Sequence, residues 1–518
     1  MDTQKTFTLA TVLVVVVLGS IFLGSAVGRQ DTMTAIIAVS VIVVILIFVG
    51  LGDNIWVLAP VFAIWSGHIP LLPLPFSVSN LAVGFGVFAW SLALAARRQS
   101  WNFHFTGLDI ILLSIVAILV AGYFRNPIGV AAFSSGSNIG ARPYIEVGIA
   151  LAGYVMLSSQ RARITIVEKL PRWALISAVV IGLGGMIAFL VPPLGIVMYQ
   201  FYTGFLPNMS AVLDPYGGND AAVGRTSYTR AMAIAGAAYV GARCCPLFLV
   251  NPRKWGLAAL FGIAVLAALV SGFRSAIVAV GFYFVFASWL WLRGRGILVC
   301  VAMAVLGIGI IAIAQQLVPL HERIQRTLSF VPANWDRSVI EDAEGSTEWR
   351  LEMWEAVLEG DSIKNWWIGD GFGFPRSEME YFSFLQRTNS ATPEQMAEYY
   401  TITGDLHSGP LSAIKFAGVS GLILYVILAI TIAVQYVRLW GQVSIYGTSE
   451  GLKYTIGFFT ILAAYVPLKF LFIYGAYNND LAPLILSAGL YRLLKAVCEE
   501  HIEETMGKSR DLEEGALA

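Results

Sequence analysis

Long apolar runs separated by short polar breaks dominate this chain. They fall at 7–27, 33–50, 55–67, 79–96, 107–124, 143–159, 173–195, 229–250, 255–271, 274–292, 297–318, 409–437, 454–475 and 480–496. A helix rises ~1.5 Å per residue, so about 20 apolar residues cross a hydrocarbon core ~30 Å thick. Inside that core every backbone N–H and C=O must find a partner, which leaves helices as the natural spanning form. The pattern predicts an all-α fold, a polytopic transmembrane helical bundle of about 12–14 spans, with 55–67 and 480–496 the weakest runs. The first run, Phe7 to Val27, is longer than a signal-peptide core and a second run follows at once, so it reads as an uncleaved helix.

One sizeable polar stretch interrupts the pattern, from Pro319 to Leu406, between the eleventh and twelfth runs. Loops of this length are uncommon and are usually functional or folded. Trp349 to Leu358 and Pro393 to Tyr400 read as helical pieces within it, separated by turns bearing Gly and Pro. The chain divides into an N-terminal bundle (1–228), a core (229–437) that includes the loop 319–406, C-terminal spans (438–496) and a tail (497–518).

Lys and Arg collect on the cytoplasmic side of short loops. The clusters are Arg97 with Arg98; Arg161, Arg163, Lys169 and Arg172; Arg253 with Lys254; Arg293 with Arg295; and Arg438 with Lys453. An even number of spans separates each from the next, so all of them fit one face. Both termini are then expected to be cytoplasmic. The loops 125–142 and 196–228, the turn Ser271-Gly272-Phe273 and the segment 319–406 lie on the extracytoplasmic side.

Composition sharpens this picture. The chain is 57% hydrophobic and 13% charged, about half the ~25% charge of a soluble domain, so it belongs in a bilayer, and in a bacterium that is the inner membrane. Its zero net charge gives no reason to expect a nucleic-acid partner. Cys244, Cys245, Cys300 and Cys498 show no metal-ligand spacing and fall near the cytoplasmic side, so free thiols are expected. There is no H-E-x-x-H and no D-x-D, and Asp370 and Asp405 read as isolated acids; no metal or cofactor is expected.

The parity argument sorts the five histidines, with His68, His321 and His407 outside and His104 and His501 inside. His407 lies where the long loop re-enters the membrane, and an imidazole with a pKa near ~6.5 suits general-base work. The bland alternative is a polar residue anchoring a helix start. Arg274 opens an apolar run on the extracytoplasmic side, against the usual charge bias; snorkelling to headgroups is its plain alternative. Arg350 and Trp354 share a helix face at spacing i, i+4, either as substrate contacts or as ordinary surface residues. The turn Gly369-Asp370-Gly371-Phe372-Gly373 would let backbone approach a ligand closely. The loop's aromatic residues suit sugar stacking, although a small core or a membrane interface uses such rings too. Arg142, Arg225 and Arg230 are candidates for a phosphate-binding cluster, and Lys415 follows His407 on about the same helical face. Lys469 is an ionisable group within a span, a functional candidate by default. Glu146 and Arg243 read as snorkelling residues near span ends.

The order of three motifs adds a resemblance. Gly272-Phe273-Arg274 opens a membrane helix, Arg350-x-x-x-Trp354 follows in the loop with Gly369-x-Gly371-x-Gly373 after it, and His407 precedes a helix bearing Gly418-x-x-Gly421. This order, over roughly 229–437, resembles the core of the O-antigen ligase and polymerase family. Phe273 stands where the family often has Ser, and Ser408 where it often has Asn. The resemblance implies a glycosyltransferase acting on an undecaprenyl-pyrophosphate-linked glycan, with Arg274 and Arg350 on the pyrophosphate and His407 as the base for an acceptor hydroxyl. The acceptor is another lipid-linked glycan for a polymerase, which is the favoured expectation, lipid A-core for a ligase, or a protein; polysaccharide assembly proteins are further partners. A transporter or flippase for lipid-linked sugars is the rival from another class. It predicts ionisable residues along several spans and internal repeats, and no repeat is visible. A scaffold for a polysaccharide assembly complex is the third reading.

Overall fold

The computed structural model describes residues 50–70, 76–96, 101–127, 140–205, 227–317, 320–360, 362–373, 404, 406–446 and 448–517. The expected span 7–27, nearly all of 33–50, the piece 393–400, the basic pair Arg97 and Arg98, Asp405 and Arg225 lie outside the described residues. So do the aromatics Tyr381, Phe382, Phe384, Tyr399 and Tyr400.

The regular elements are helical: α1 (Val78–Ala95), α2 (Gly107–Arg125), α3 (Ala141–Ser159), α4 (Leu170–Leu190), α5 (Pro192–Phe201), α6 (Ser227–Arg243) and α7 (Trp255–Val270). They continue with α8 (Arg274–Leu292), α9 (Gly294–Leu317), α10 (Glu322–Leu328), α11 (Arg337–Glu359), α12 (Gly409–Ile445), α13 (Glu450–Leu468) and α14 (Tyr477–Leu517). Nine helices among the described residues are long and apolar enough to cross a membrane. The chain is a polytopic helical bundle, as the apolar runs predict.

Local chemistry sets several helix starts. Ser77, Ser408 and Ser449 accept from backbone N–H groups three residues on, and Thr106 with Asp109 forms a capping box. Pro171 and Pro410 occupy first-turn positions, where a missing N–H costs nothing. The run at 55–67 does not span. It folds as a 3-10 segment, Gly52–Val57, and one α turn, Leu58–Val61, because Pro60 and Gly67 interrupt it and Trp56 is drawn into the core.

Helix α6 packs on α7 and α8 through small residues, among them Ala233, Ala237, Ala264, Ala268, Ala276 and Ala287. A Cβ on Gly241 would lie 2.8 Å from that of Ala287. Such residues let helix backbones approach where lipid offers no hydrophobic drive for association. By contrast α9, the most apolar helix, is only 6% buried and faces outward. All four cysteines are buried and free.

Buried charges are paired. Arg492 of α14 donates to both oxygens of Asp109 at 3.2 Å and to the Tyr154 hydroxyl at 2.8 Å, joining α2, α3 and α14. Arg142 donates to Glu146 at 2.9 Å with both side chains little exposed. Glu146 therefore does not snorkel. Arg243 instead lies over the Tyr239 and Tyr454 rings.

The polar segment is anchored by backbone. Residues 362–373 enter the bundle beside α12: Asp370 and Gly371 donate their N–H groups to the carbonyls of Lys415 and Phe416, and Val419 N–H donates to Trp366. Phe372, fully buried, packs on Tyr144, Phe416 and Tyr477. Gly369 and Gly371 adopt φ near +70°, and a Cβ on Gly369 would strike the Phe416–Ala417 backbone at 2.4 Å. Gly418 breaks α12 at φ 69°, where a Cβ would meet Trp367 backbone at 2.2 Å. The glycine motif brings backbone against backbone, not against a ligand.

Gly418→Ala combines a disfavoured φ with a clash, so it is expected to destabilise the protein by about 2 kcal/mol or more. Gly281→Ala, where a Cβ meets nothing within 4 Å, should leave melting of the detergent-solubilised protein unchanged. Equal melting temperatures for the two variants would refute this account of the kink.

Candidate functional site

His407 has φ 50°. Among described non-glycine residues only Arg293, in the turn between α8 and α9, shares a positive φ. That region costs roughly 1–2 kcal/mol for a residue with a Cβ, so the surroundings must hold His407 there. On one side the Trp354 indole of α11 donates to the neighbouring Leu406 carbonyl at 2.7 Å. Leu406 itself is buried with Met353, Val357 and Ile363 in a small core. Two rings flank the imidazole, Trp349 at 5.8 Å and Tyr474 at 5.3 Å between centroids.

Arg350 follows Trp349 on α11, half-buried. The helix is longer than the expected piece, beginning at Arg337. Trp354, a candidate substrate contact by spacing, is spent on positioning the residue before His407.

Arg274 is the first residue of α8, after Gly272 at φ 70°. The buried Ser271 hydroxyl donates to Ala268 and accepts from Phe273 N–H, which shapes the turn. Phe273, the departure from the family pattern, receives the Arg230 guanidinium over its ring at 5.7 Å, so two guanidinium-bearing residues meet at this turn. Thr327 of α10 donates to the Leu269 carbonyl, which folds the start of the polar segment over the end of α7.

A single helix links the Arg274 turn to the histidine. The Tyr465 hydroxyl of α13 donates to the Ser275 carbonyl at 3.4 Å. The same helix runs on through a π turn, Lys469–Ile473, to Tyr474 beside His407. Nine residues separate Tyr465 from Tyr474, about 13 Å at the helical rise. Arg274 and His407 thus lie at two levels along one wall, with α11 opposite the upper one. Spacing alone did not point to Tyr465 or Tyr474; they stand in an apolar run with no pattern to mark them.

Other candidates have internal partners. Lys415 donates to the Ser362 carbonyl and to Asp370 at 3.0 Å, and Asp370 also accepts from the N–H groups of Lys364 and Asn365. Asp370 is therefore not isolated, and Lys415 acts as a clasp for the inserted segment. Lys469, the deep charge a transport reading would use, pairs with Asp480 at 2.6 Å. Arg142 is held by Glu146. His68 bonds with Thr203, and burial first, then the Arg142 charge, lowers its pKa below the ordinary imidazole value. No group of three or more His, Cys, Asp or Glu among the described residues is arranged to hold a metal ion.

No curated protein matches the chain. Residues 258–426 match the family model described as O-antigen ligase. The matched stretch contains Arg274, Arg350 and His407 together and omits Arg142, Arg225 and Arg230. That match, laid over a multi-pass helical bundle, supports the chain's place in the O-antigen ligase/polymerase family.

Proposed function

We propose that this protein is a metal-independent, inverting glycosyltransferase of the inner membrane. It would transfer a glycan from undecaprenyl pyrophosphate to an acceptor hydroxyl at the extracytoplasmic face, polymerising O-antigen or exopolysaccharide repeat units. The observation that carries this reading is that one family match spans all three motif residues, while α13 ties the Arg274 turn to the ring beside His407. The family implies a lipid-linked glycan donor; the identity of its lipid, the acceptor and the residue roles are the proposal.

In this reading Arg274 and Arg350 bind the pyrophosphate. A guanidinium fork matches phosphate oxygens, and each charge-assisted bond contributes about 1.5–3 kcal/mol. The acceptor oxygen attacks the anomeric carbon from the face opposite the leaving group, and His407 takes the hydroxyl proton. As the bond from the anomeric carbon to the pyrophosphate oxygen breaks, its electron pair and negative charge pass to the diphosphate between fixed cations. Placing Arg274 about 13 Å below the histidine level along α13 suits a donor whose diphosphate lies nearer the lipid than its sugar. The end after α14 is cytoplasmic in this arrangement, as the basic clusters support; because 55–67 does not span, the same parity no longer sets the N-terminus on that face.

The deciding experiment is an in vitro reaction with a defined lipid-linked donor and mass analysis of products. A ladder of repeat units supports polymerisation; glycosylated lipid A or glycoprotein would reassign the acceptor. His407→Ala is expected to lower turnover by about 10²–10⁴-fold in protein that remains inserted and monodisperse, and near-normal product from it would remove the base role. Arg350→Lys keeps the charge but loses the fork, so a fall of at least about tenfold is expected; full activity would show that a point charge suffices. Incubation with EDTA should leave the initial rate unchanged, and inhibition reversed by Mg²⁺ or Mn²⁺ would place the enzyme in another catalytic class.

A further inference from the structure

The turn that joins α13 to α14 carries Tyr474 to the His407 ring, 5.3 Å away between centroids. One charged residue from each side closes that turn. The Lys469 ammonium, at the end of α13, donates at 2.6 Å to Asp480 Oδ1 in the first turn of α14. Lys469 also holds the turn through its backbone, since its carbonyl accepts from the Tyr474 N–H at 2.9 Å. Asp480 grips the other side, its Oδ2 accepting from the Ala476 N–H at 3.0 Å. Tyr474 and Gly475 therefore sit between two points that one ion pair locks together.

The closed turn is seated against the helix that follows His407. The Tyr477 N–H donates to the Ser412 hydroxyl, in the first turn of α12, at 3.0 Å. Phe470 stacks on Tyr425 with ring centroids 3.8 Å apart, and a Cβ on Gly409 would lie 2.7 Å from the Phe470 ring. These contacts fix the two sides of the turn. Tyr474 between them, next to a permissive glycine, depends on the closure for its place. The Lys469 and Asp480 side chains are 25% and 17% exposed, sheltered enough to escape most of the screening that weakens surface pairs.

We propose that the Lys469–Asp480 pair is a positioning device for His407. It sets the place of Tyr474 and, through that ring, the orientation of the imidazole, without touching substrate. The proposal rests on His407 acting as the base, and it gives the charge within a span a role in holding the site rather than in transport.

Modification of the full-length protein by diethyl pyrocarbonate, followed residue by residue by mass spectrometry, reads the shielding of His407 without needing turnover. Lys469→Met and Asp480→Asn should each speed modification of His407 about fivefold or more, with His68 and His104 unchanged as internal controls. Lys469→Arg keeps the pair and should match the wild type. The first two variants leave opposite charges behind. An effect on imidazole protonation alone would therefore slow the reagent, which attacks the neutral ring, in one and speed it in the other. Loss of the closure speeds it in both. Turnover of the lipid-linked donor should fall about tenfold or more in both, with the donor KM unchanged. It should fall no further when either is combined with His407→Ala, because a residue acting through the imidazole then has nothing to act on. Unchanged or oppositely shifted His407 modification, equal gains at every histidine, or a further loss in the His407→Ala background would each overturn the assignment. If His407→Ala alone keeps near-normal turnover, the base role fails and the modification rates still decide the positioning. Asp480→Asn, nearly isosteric and still an acceptor for Ala476, carries the test if Lys469→Met does not fold.

Discussion

The peptide groups of residues 362–373 set the terms for the rest of the molecule. A polar segment inserted among apolar helices is stable only if its N–H and C=O groups find partners. Here they find the carbonyls and amides of α12 between Lys415 and Ser420. Those groups are available because Gly418 breaks the helix at φ 69°. The break, the close approach at Gly369 and the Asp370–Lys415 pair are one device. It fixes the first turns of α12, and with them Ser408 and His407.

Charge follows a similar rule. In a low-dielectric interior an unpaired ion is expensive, and the buried ions with named partners each meet an opposite charge: Asp109 with Arg492, Asp480 with Lys469, Asp370 with Lys415, Glu146 with Arg142. Each of these pairs ties elements or turns together and is thereby committed to structure. The pairing of Lys469 also weakens a transport reading, which would need deep charges free to exchange partners. What distinguishes Arg274 and Arg350 is their place, one at a glycine turn that opens a helix, the other on the helix that flanks His407.

Hydropathy made most of the membrane-spanning helices legible, because lipid solvation depends on local composition. It failed at 52–61, where Trp56 and Ala59 supply apolar character to a buried turn. The order of arginine, arginine and histidine was also legible, since motif order survives in one dimension. Pairings were not: Asp370 and Lys415 are 45 residues apart in sequence, and spacing gives no sign of contact at that separation. The glycine turn shows a third limit. Sequence reveals that backbone can come close to something there, but only packing reveals that the something is Phe416 and Gly122.

A general base must be held in place before its substrate arrives, since loss of freedom at the moment of reaction adds to the barrier. His407 meets that condition from two directions. From α11, Trp354 fixes the carbonyl before it and Trp349 covers one side of the ring. From α13, Pro467 and the π turn carry the chain out of the helix so that Tyr474, in extended conformation, reaches the ring. The adjoining Gly475 passes so close to Gly409 that a Cβ would lie 3.0 Å from its Cα. A left-handed backbone at a histidine persists only when such contacts over-determine it. Any change that relaxes either side should therefore act on His407 through its orientation, even where the imidazole and both arginines are intact.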